Sequence, residues 1–509
     1  MRWRAALSAA FVLLALTAPA AWAQKSADTL RITWRDRISD ADPYHNPARN
    51  GLVLAHQAWD GLIWRDPDTF TLKPLLASSW KYIDDTTLEF ELRPDAVFQN
   101  GDHVTAADVV YTVGVALNDP AVAVPSNFAW LAGAEALDAT HVRIHLRRVF
   151  PAALEYIALV LPILPADYRT RVGPAEFSRH PIGSGPYRIV EATEDHILLD
   201  RFDDYPVSSP KGRPAIGHIA IRQVTDPDME LQDLLNGEAD WIWSYAPEKS
   251  DIISANPALQ EARAESMRIG YLQLDAAGRS SPGNPLTNPL VRQAIFTTID
   301  RSALSRGLLA LGGRVPEAPC FPTQFGCDQT AFPRFIVDRP RAKALLAQAG
   351  YPDGFSTEIV SYVLPQYAEA VAADLSLIGI HAKITQLPLS EAIARADSGS
   401  APMFMGSWGS YSINDVSAFL PELFSGRTEG FSAADDTHDV DLKKLVDAGG
   451  TSTNPDERRK NYSAAIKLAT EQVYVLPIMT SVQTYVSRRE VNFKAYPDEL
   501  PRFYLASWK

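Results

Sequence analysis

Between Met267 and Leu304 the chain reads MRIGYLQLDAAGRSSPGNPLTNPLVRQAIFTTIDRSAL, and this stretch constrains the fold more than any other. Tyr271 to Asp275 has the pattern of a strand end, the Gly/Ser/Pro-rich run to Pro285 is a loop, and Asn288 with Pro289 supplies a helix cap and first helical position. Val291, Ala294, Ile295, Thr298 and Ile299 come next at helical spacing, so one face of that helix is core. The strand closes the first half of the chain and the helix opens the second. At 509 residues the chain exceeds what one compact core organises, and each side of the handover carries its own β-α-β pattern. On the first side HIAIRQV, MELQDLLNGE and ADWIWSY alternate strand, helix and strand, with Asn236-Gly237 ending the helix. On the second, FSTEIVSYV, AEAVAADLSLIG and IHAKITQL do the same, with Gly379 as the stop. The late extended run VYVLPIMTSVQTYVSR predicts a single return crossing. Two α/β lobes joined by paired crossing segments face each other across a cleft, and crevices in open α/β sheets form at the carboxyl ends of strands.

The rest of the chain is consistent with that plan. DTLRITW, from Asp28, predicts an opening strand, and DADPYHNPARNG is a turn-rich loop that exposes Tyr44, His45 and Asn46. TLEFELR points Leu88, Phe90 and Leu92 inward, and Thr105 with Asp108 makes a capping pair for TAADVVYTVGVAL. In HVRIHLR, Val142, Ile144 and Leu146 share one face while His141 and His145 lie on a solvated one. PIGSGPYRIV is a glycine turn entering a strand; without a third glycine, a lysine or a following helix it is no phosphate cradle. Capped helices are predicted from Pro340 to Gly350 and over NPDERRKNYSAAIKLATEQ.

Arg2 and Arg4, the apolar AALSAAFVLLALTAPA and the small-x-small Ala21-Trp22-Ala23 predict a Sec-type signal peptide over 1–23, cleaved after Ala23. The apolar run is shorter than the roughly 18 residues that span a bilayer, and no cysteine stands there to carry lipid, so the expected product is free in the periplasm and not a lipoprotein. Cys320 and Cys327 are the only cysteines, and export favours a disulfide between them. Two thiolates with no nearby histidine or third cysteine leave zinc short of ligands. A net charge of -13 with no basic block argues against a nucleic-acid partner.

The usual catalytic constellations are missing: there is no G-x-S-x-G, H-E-x-x-H, C-x-x-C or G-x-x-x-x-G-K. A secreted hydrolase remains the lesser alternative. Aromatic residues in predicted loops stand out instead, namely Trp130, Trp241, Trp243, Tyr245, Trp408 and Tyr411, and as a group they suit an apolar pocket with a few orienting polar groups. No cofactor and no metal are expected.

Five segments in order carry a resemblance: PLLASSWKYIDDTTLEFELRPDAVFQNGDHVTAADVVYTV, HPIGSGPYRIV, LLNGEADW, NPLVRQAIFTTIDRSAL and RAKALLAQAGYPDGF. Through them the chain resembles family 5 of the bacterial extracellular solute-binding proteins, the dipeptide, oligopeptide and nickel-binding type that serves ABC importers. The resemblance implies an α/β, two-lobed periplasmic-binding-protein (Venus flytrap) fold of the large type. Lobe I would take 24–60, 183–275 and a C-terminal return over 480–509, with an extra subdomain at 61–182, and lobe II would take 276–479. It implies a monomeric receptor, not an enzyme, that closes over a small solute and presents it to an ABC permease in the inner membrane. Peptide-binding members carry an Asp three residues after the tryptophan matching Trp408, to pair with the peptide amino group; here that position is Tyr411, and the nearest carboxylate is Asp415. Asp415 either contacts ligand or caps the next helix. The expected ligand contacts are Tyr44, Asn46, Trp243, Tyr245, Trp408, Tyr411 and Asp415, for a peptide-like solute or else an opine, a sugar-like compound or a metal chelate.

Overall fold

The computed structural model describes residues 28–38, 40–46, 49–245, 247–308, 313–330, 336–424 and 433–509. The signal peptide expected over 1–23 and its cleavage site lie outside the described residues. Along the chain, β1 (Thr29–Trp34) precedes a hairpin of β2 (Ile63–Arg65) and β3 (Leu72–Pro74). A separate antiparallel sheet comes next, built in the order β4 (Ala77–Asp84), β5 (Thr87–Leu92), β7 (His141–Leu146) and β6 (Leu131–Ala136). Then come β8 (Tyr187–Ala192), β9 (His196–Arg201), β10 (His218–Gln223), β11 (Trp241–Ile242) and the long β12 (Leu259–Leu274). After these stand β13 (Phe355–Ser361), β14 (Ile380–Gln386), β15 (Met403–Trp408) and β16 (Val475–Arg488). Ten of these strands make one sheet, ordered β14-β13-β15-β12-β16-β11-β1-β10-β9-β8.

The two longest strands, β12 and β16, run antiparallel through the middle of that sheet and belong to both halves. Leu259–Glu265 faces Val482–Arg488 on the β11 side, and Ile269–Gln273 faces Val475–Thr480 on the β15 side. Between them the register shifts, and Ser266, Met267 and Arg268 leave the ladder. The backbone N–H of Met267 donates instead to Pro497 O at 2.8 Å. A second shift stands beside Pro477, whose ring nitrogen has no proton to give the ladder. The sequence assigns Tyr271 to Asp275 to the first half; the sheet puts Ile269–Leu274 against β15 and the second-half helices. An alternating apolar strand reads the same whichever neighbour it pairs with, so its sequence carries no record of the crossing.

Period-two alternation builds the second half as three layers. Leu272, Leu274, Met403 and Met405 bury one face under the helices Pro289–Thr298, Arg339–Gln348 and Pro365–Ser376. Tyr271, Phe404 and Val360 bury the other under Val440–Thr451 and Pro455–Glu471. Asn288 caps Pro289–Thr298 through Leu290 N, and Val291, Ala294, Ile295, Thr298 and Ile299 are buried as their spacing predicts. In the first half Gly183 and Gly185 pass so close to Ala58 that a Cβ would lie 1.9 Å from Ala58 O at Gly183 and 2.6 Å from Ala58 C at Gly185. Backbone contact, not anion binding, is what those glycines permit. Cys320 and Cys327 form the expected disulfide, with Cα atoms 5.8 Å apart.

Candidate functional site

A cavity of about 430 Å³ opens where the strands cross. Its walls come from the 43–46 loop and the helix Arg49–Ala58, from Ala123 to Phe128, from Val160 and Pro162, and from Leu389 of the second half. Arg268 reaches it from the residues that leave the β12 ladder, so that irregularity is what turns a strand residue toward the opening.

Tyr44 and Asn46 line this cavity, and their loop is tucked in rather than exposed. The Tyr44 ring lies 5.6 Å from Phe128, and its hydroxyl donates to Pro162 O at 2.9 Å. Burial and then Asp42 hold that hydroxyl well above its ordinary pKa, so it stays a donor. Asn46 occupies the space above Gly51, where a Cβ would come within 2.5 Å of its Cγ. Between them His45 is pinned by Asp40 at 3.1 Å and Asp119 at 3.0 Å. The hydrogen bond to Asp40 leads in raising its pKa to about 9, against burial and with help from Asp42 and Asp119. A histidinium at neutral pH thus fastens the 43–46 loop to the end of the helix Ala106–Asn118.

Two guanidiniums face the opening. Arg268 makes a two-pronged contact with Glu499, at 3.2 and 3.0 Å, and Arg49 stands 3.6 Å from the same carboxylate. Burial pushes the Glu499 carboxyl up, and Arg268 and Arg49 more than reverse it, leaving it below the usual carboxylate value. Arg49 also donates to Ser412 Oγ and to Asp498 O, tying the first half to a second-half turn. Arg65 reinforces that tie, donating to Ser412 O at 2.6 Å, Glu155 at 2.8 Å and Asp498 at 2.8 Å. Within the turn, Ser410 (φ 51°) and Ser412 (φ 66°) hold left-handed backbone that non-glycine residues seldom adopt.

The other expected contacts lie apart from this cavity lining. Trp408 ends β15 opposite Ile269, half-buried against the second-half core, and the next residue, Gly409, lies beside the Arg268 guanidinium. Tyr411 belongs to the turn Ser410–Ser412, and its side chain lies outside the described residues. Trp243 is half-buried in an aromatic group with Trp34, Trp241 and Tyr485 at 6.4, 5.9 and 5.6 Å. Trp241 and Trp130, expected in loops, are core instead. Tyr245 is a correction: it packs with Leu231, Leu234 and Ile253, and its hydroxyl bonds the Glu261 carboxylate. Of the two alternatives for Asp415, the structure shows the cap. It caps Ser417 N at 2.9 Å and bonds Arg458 at 2.7 Å while only 3% exposed, so its charge is spent inside the second half. Arg49, Arg268, Glu499 and Phe128 were missed. Lone arginines and a late glutamate carry no sequence signature, and only the crossing brings them together. Among the described residues no group of three or more His, Cys, Asp or Glu could hold a metal ion, and no helix is long and apolar enough to cross a membrane.

Known proteins share this fold. The structure of HbpA2 from Haemophilus parasuis superposes with a TM-score of 0.82 at 22% identity, covering 94% of this chain and 100% of that one. The periplasmic binding protein DppA from Helicobacter pylori in complex with peptide STSA gives 0.75 at 21% identity, covering 94% and 98%. These neighbours establish a two-lobed periplasmic-binding-protein fold. Among curated proteins, the glutathione-binding protein GsiB of Salmonella paratyphi A is 25% identical over 511 residues, covering 97% of this chain and 96% of that protein. The family and these relatives are binding proteins. The description "Bacterial extracellular solute-binding proteins, family 5 Middle" matches residues 71–431, most of the length, and the chain belongs to that family.

Proposed function

We propose that this chain is the periplasmic solute-binding receptor of an ABC importer, capturing a peptide-like solute in the cleft and handing it to a permease in the inner membrane. The observation that carries this reading is the cavity of about 430 Å³ at the crossing, walled by residues of both halves. Pockets for small organic ligands run from roughly 300 to 1,000 Å³. A solute draws the halves together only by binding their closed arrangement better than the open one, which requires contact with both. Relatives that bind glutathione and a neighbour holding a peptide support a peptide-like cargo. In this reading Trp243, Trp408 and Tyr411 join Tyr44 and Asn46 around the solute, residues 61–182 are an elaboration of lobe I, and the protein acts as a monomer after export and cleavage at Ala23. No bond is broken. An opine acid is the second reading, because among the described residues no carboxylate side chain lines the cavity to meet a peptide's ammonium group.

Thermal unfolding of the exported protein with glutathione, Met-Leu, mannopinic acid or a neutral disaccharide tests both readings. The true solute class raises the midpoint in proportion to log concentration, reaching about 2.7 kcal/mol at a hundredfold excess over Kd. Mass spectrometry should recover that solute unchanged. Stabilisation by the disaccharide alone, or consumption of the compound that stabilises, rules out the peptide receptor.

A further inference from the structure

The cavity has an unbalanced charge. Among the described residues fourteen line it, of which Arg49 and Arg268 carry charge and none is acidic. The surrounding network does not cancel them. Arg49, Arg65, Arg268 and Arg502 share Glu155, Asp498 and Glu499, four guanidiniums against three carboxylates. His56 adds nothing, since burial first, then Lys211 and Arg502, drop its pKa to about 3 and keep it neutral. Asp498 is saturated by Arg65 and Arg502, which leaves Glu499 alone to serve both cavity arginines. The side chains of Arg49 and Arg268 remain 22% and 35% accessible, so each keeps donors turned to the opening. Arg49 is also the first residue of the helix Arg49–Ala58, whose first turn has no acidic residue to offset the positive end of the helix. The remaining wall is mostly apolar, with Leu52, Ala55, Val124, Phe128, Val160 and Leu389.

We propose that Arg49 and Arg268 form a carboxylate subsite, so that this receptor selects organic acids with an apolar body and makes no demand for a free amino group. The inference rests on the cleft being the solute site. A carboxylate entering between the two guanidiniums supplies the missing negative charge and takes charge-assisted hydrogen bonds in a place water only partly reaches. Glu499 holds the two arginines in position and competes with the incoming anion for them.

Calorimetry with Met-Leu, its C-terminal amide and its N-acetyl derivative tests the proposal. The amide should bind at least tenfold more weakly than the acid, and N-acetylation should change affinity less than threefold. Arg268→Gln should weaken the acid at least tenfold and leave the amide unchanged. Glu499→Gln should tighten the acid several-fold, an effect that loss of a structural contact would not produce. Arg49→Gln is read the same way once its unliganded unfolding midpoint is seen to match the parent. Equal affinity for acid and amide, or a parallel loss of both in Arg268→Gln, overturns the subsite. If mannopinic acid binds with the same dependence on Arg268 while no peptide derivative binds, the subsite stands and the peptide reading falls. If only neutral or cationic solutes bind, the subsite falls and the receptor role remains.

Discussion

His45 is the residue whose chemistry most directly shapes the cleft without lining it. Its imidazole has a pKa of about 9 in the folded chain and 6.5 in the unfolded one, because Asp40 and Asp119 hold it from both sides while Asp42 stands near. Arg169 shares Asp42 and Asp119 but is charged throughout this range. A group that binds its proton more tightly when folded contributes its full stability below the unfolded pKa and loses it as pH rises through the folded one. Raising pH from 7 to 10 should therefore remove about 1–3 kcal/mol from the parent and little from His45→Asn. Unfolding midpoints of the two proteins across that range should converge. A gap at pH 10 as wide as at pH 7 would show that the imidazolium is not what pins the loop.

At the level of elements, the turn after β15 depends on a brace the sequence displays in plain view. The loop closed by Cys320 and Cys327 lies along it: Phe325 N donates to Asn414 O, Val416 N donates to Phe325 O, and Gln324 Nε2 donates to Ile413 O. Replacing both cysteines with serine should cost about 2.5 kcal/mol, as expected for so short a loop, and should free the turn. Urea unfolding gives the first number, and faster amide exchange at Phe325 and Val416 reports the second. If exchange there is unchanged, the loop is a bystander. Elements such as β5, β7 and the helix Pro289–Thr298 were legible because each declares itself locally, through alternation, spacing or a cap. The site was half legible. Tyr44 and Asn46 stood in a recognisable loop, but Arg49, Arg268 and Glu499 meet only through pairing across hundreds of positions. Tyr245 misled, and Asp415 stayed open between two roles, because an aromatic at a strand end and an acid near a tryptophan look alike whether they face ligand or core.

For the whole molecule, Arg65 is one tie between the halves, 3% exposed and bonded to Glu155, Asp498 and Ser412 O at once. Arg65→Gln removes the cation on part-buried Glu155 and one of the two guanidiniums on buried Asp498, which keeps Arg502, and should destabilise the protein by roughly 1–3 kcal/mol. It should also loosen the tie to the Ser410–Ser412 turn, so that X-ray scattering of the unliganded variant gives a larger radius of gyration than the parent. An unchanged radius would mean that the halves are held by other contacts. Because β12 and β16 pass through both halves, neither half owns a complete sheet. Melting one would strip ladder hydrogen bonds from the other. Calorimetry should accordingly record one endotherm with matching calorimetric and van't Hoff enthalpies, where two lobes on a slack tether would give two. The pair of strands that joins the two halves also compels the protein to live or die as one piece.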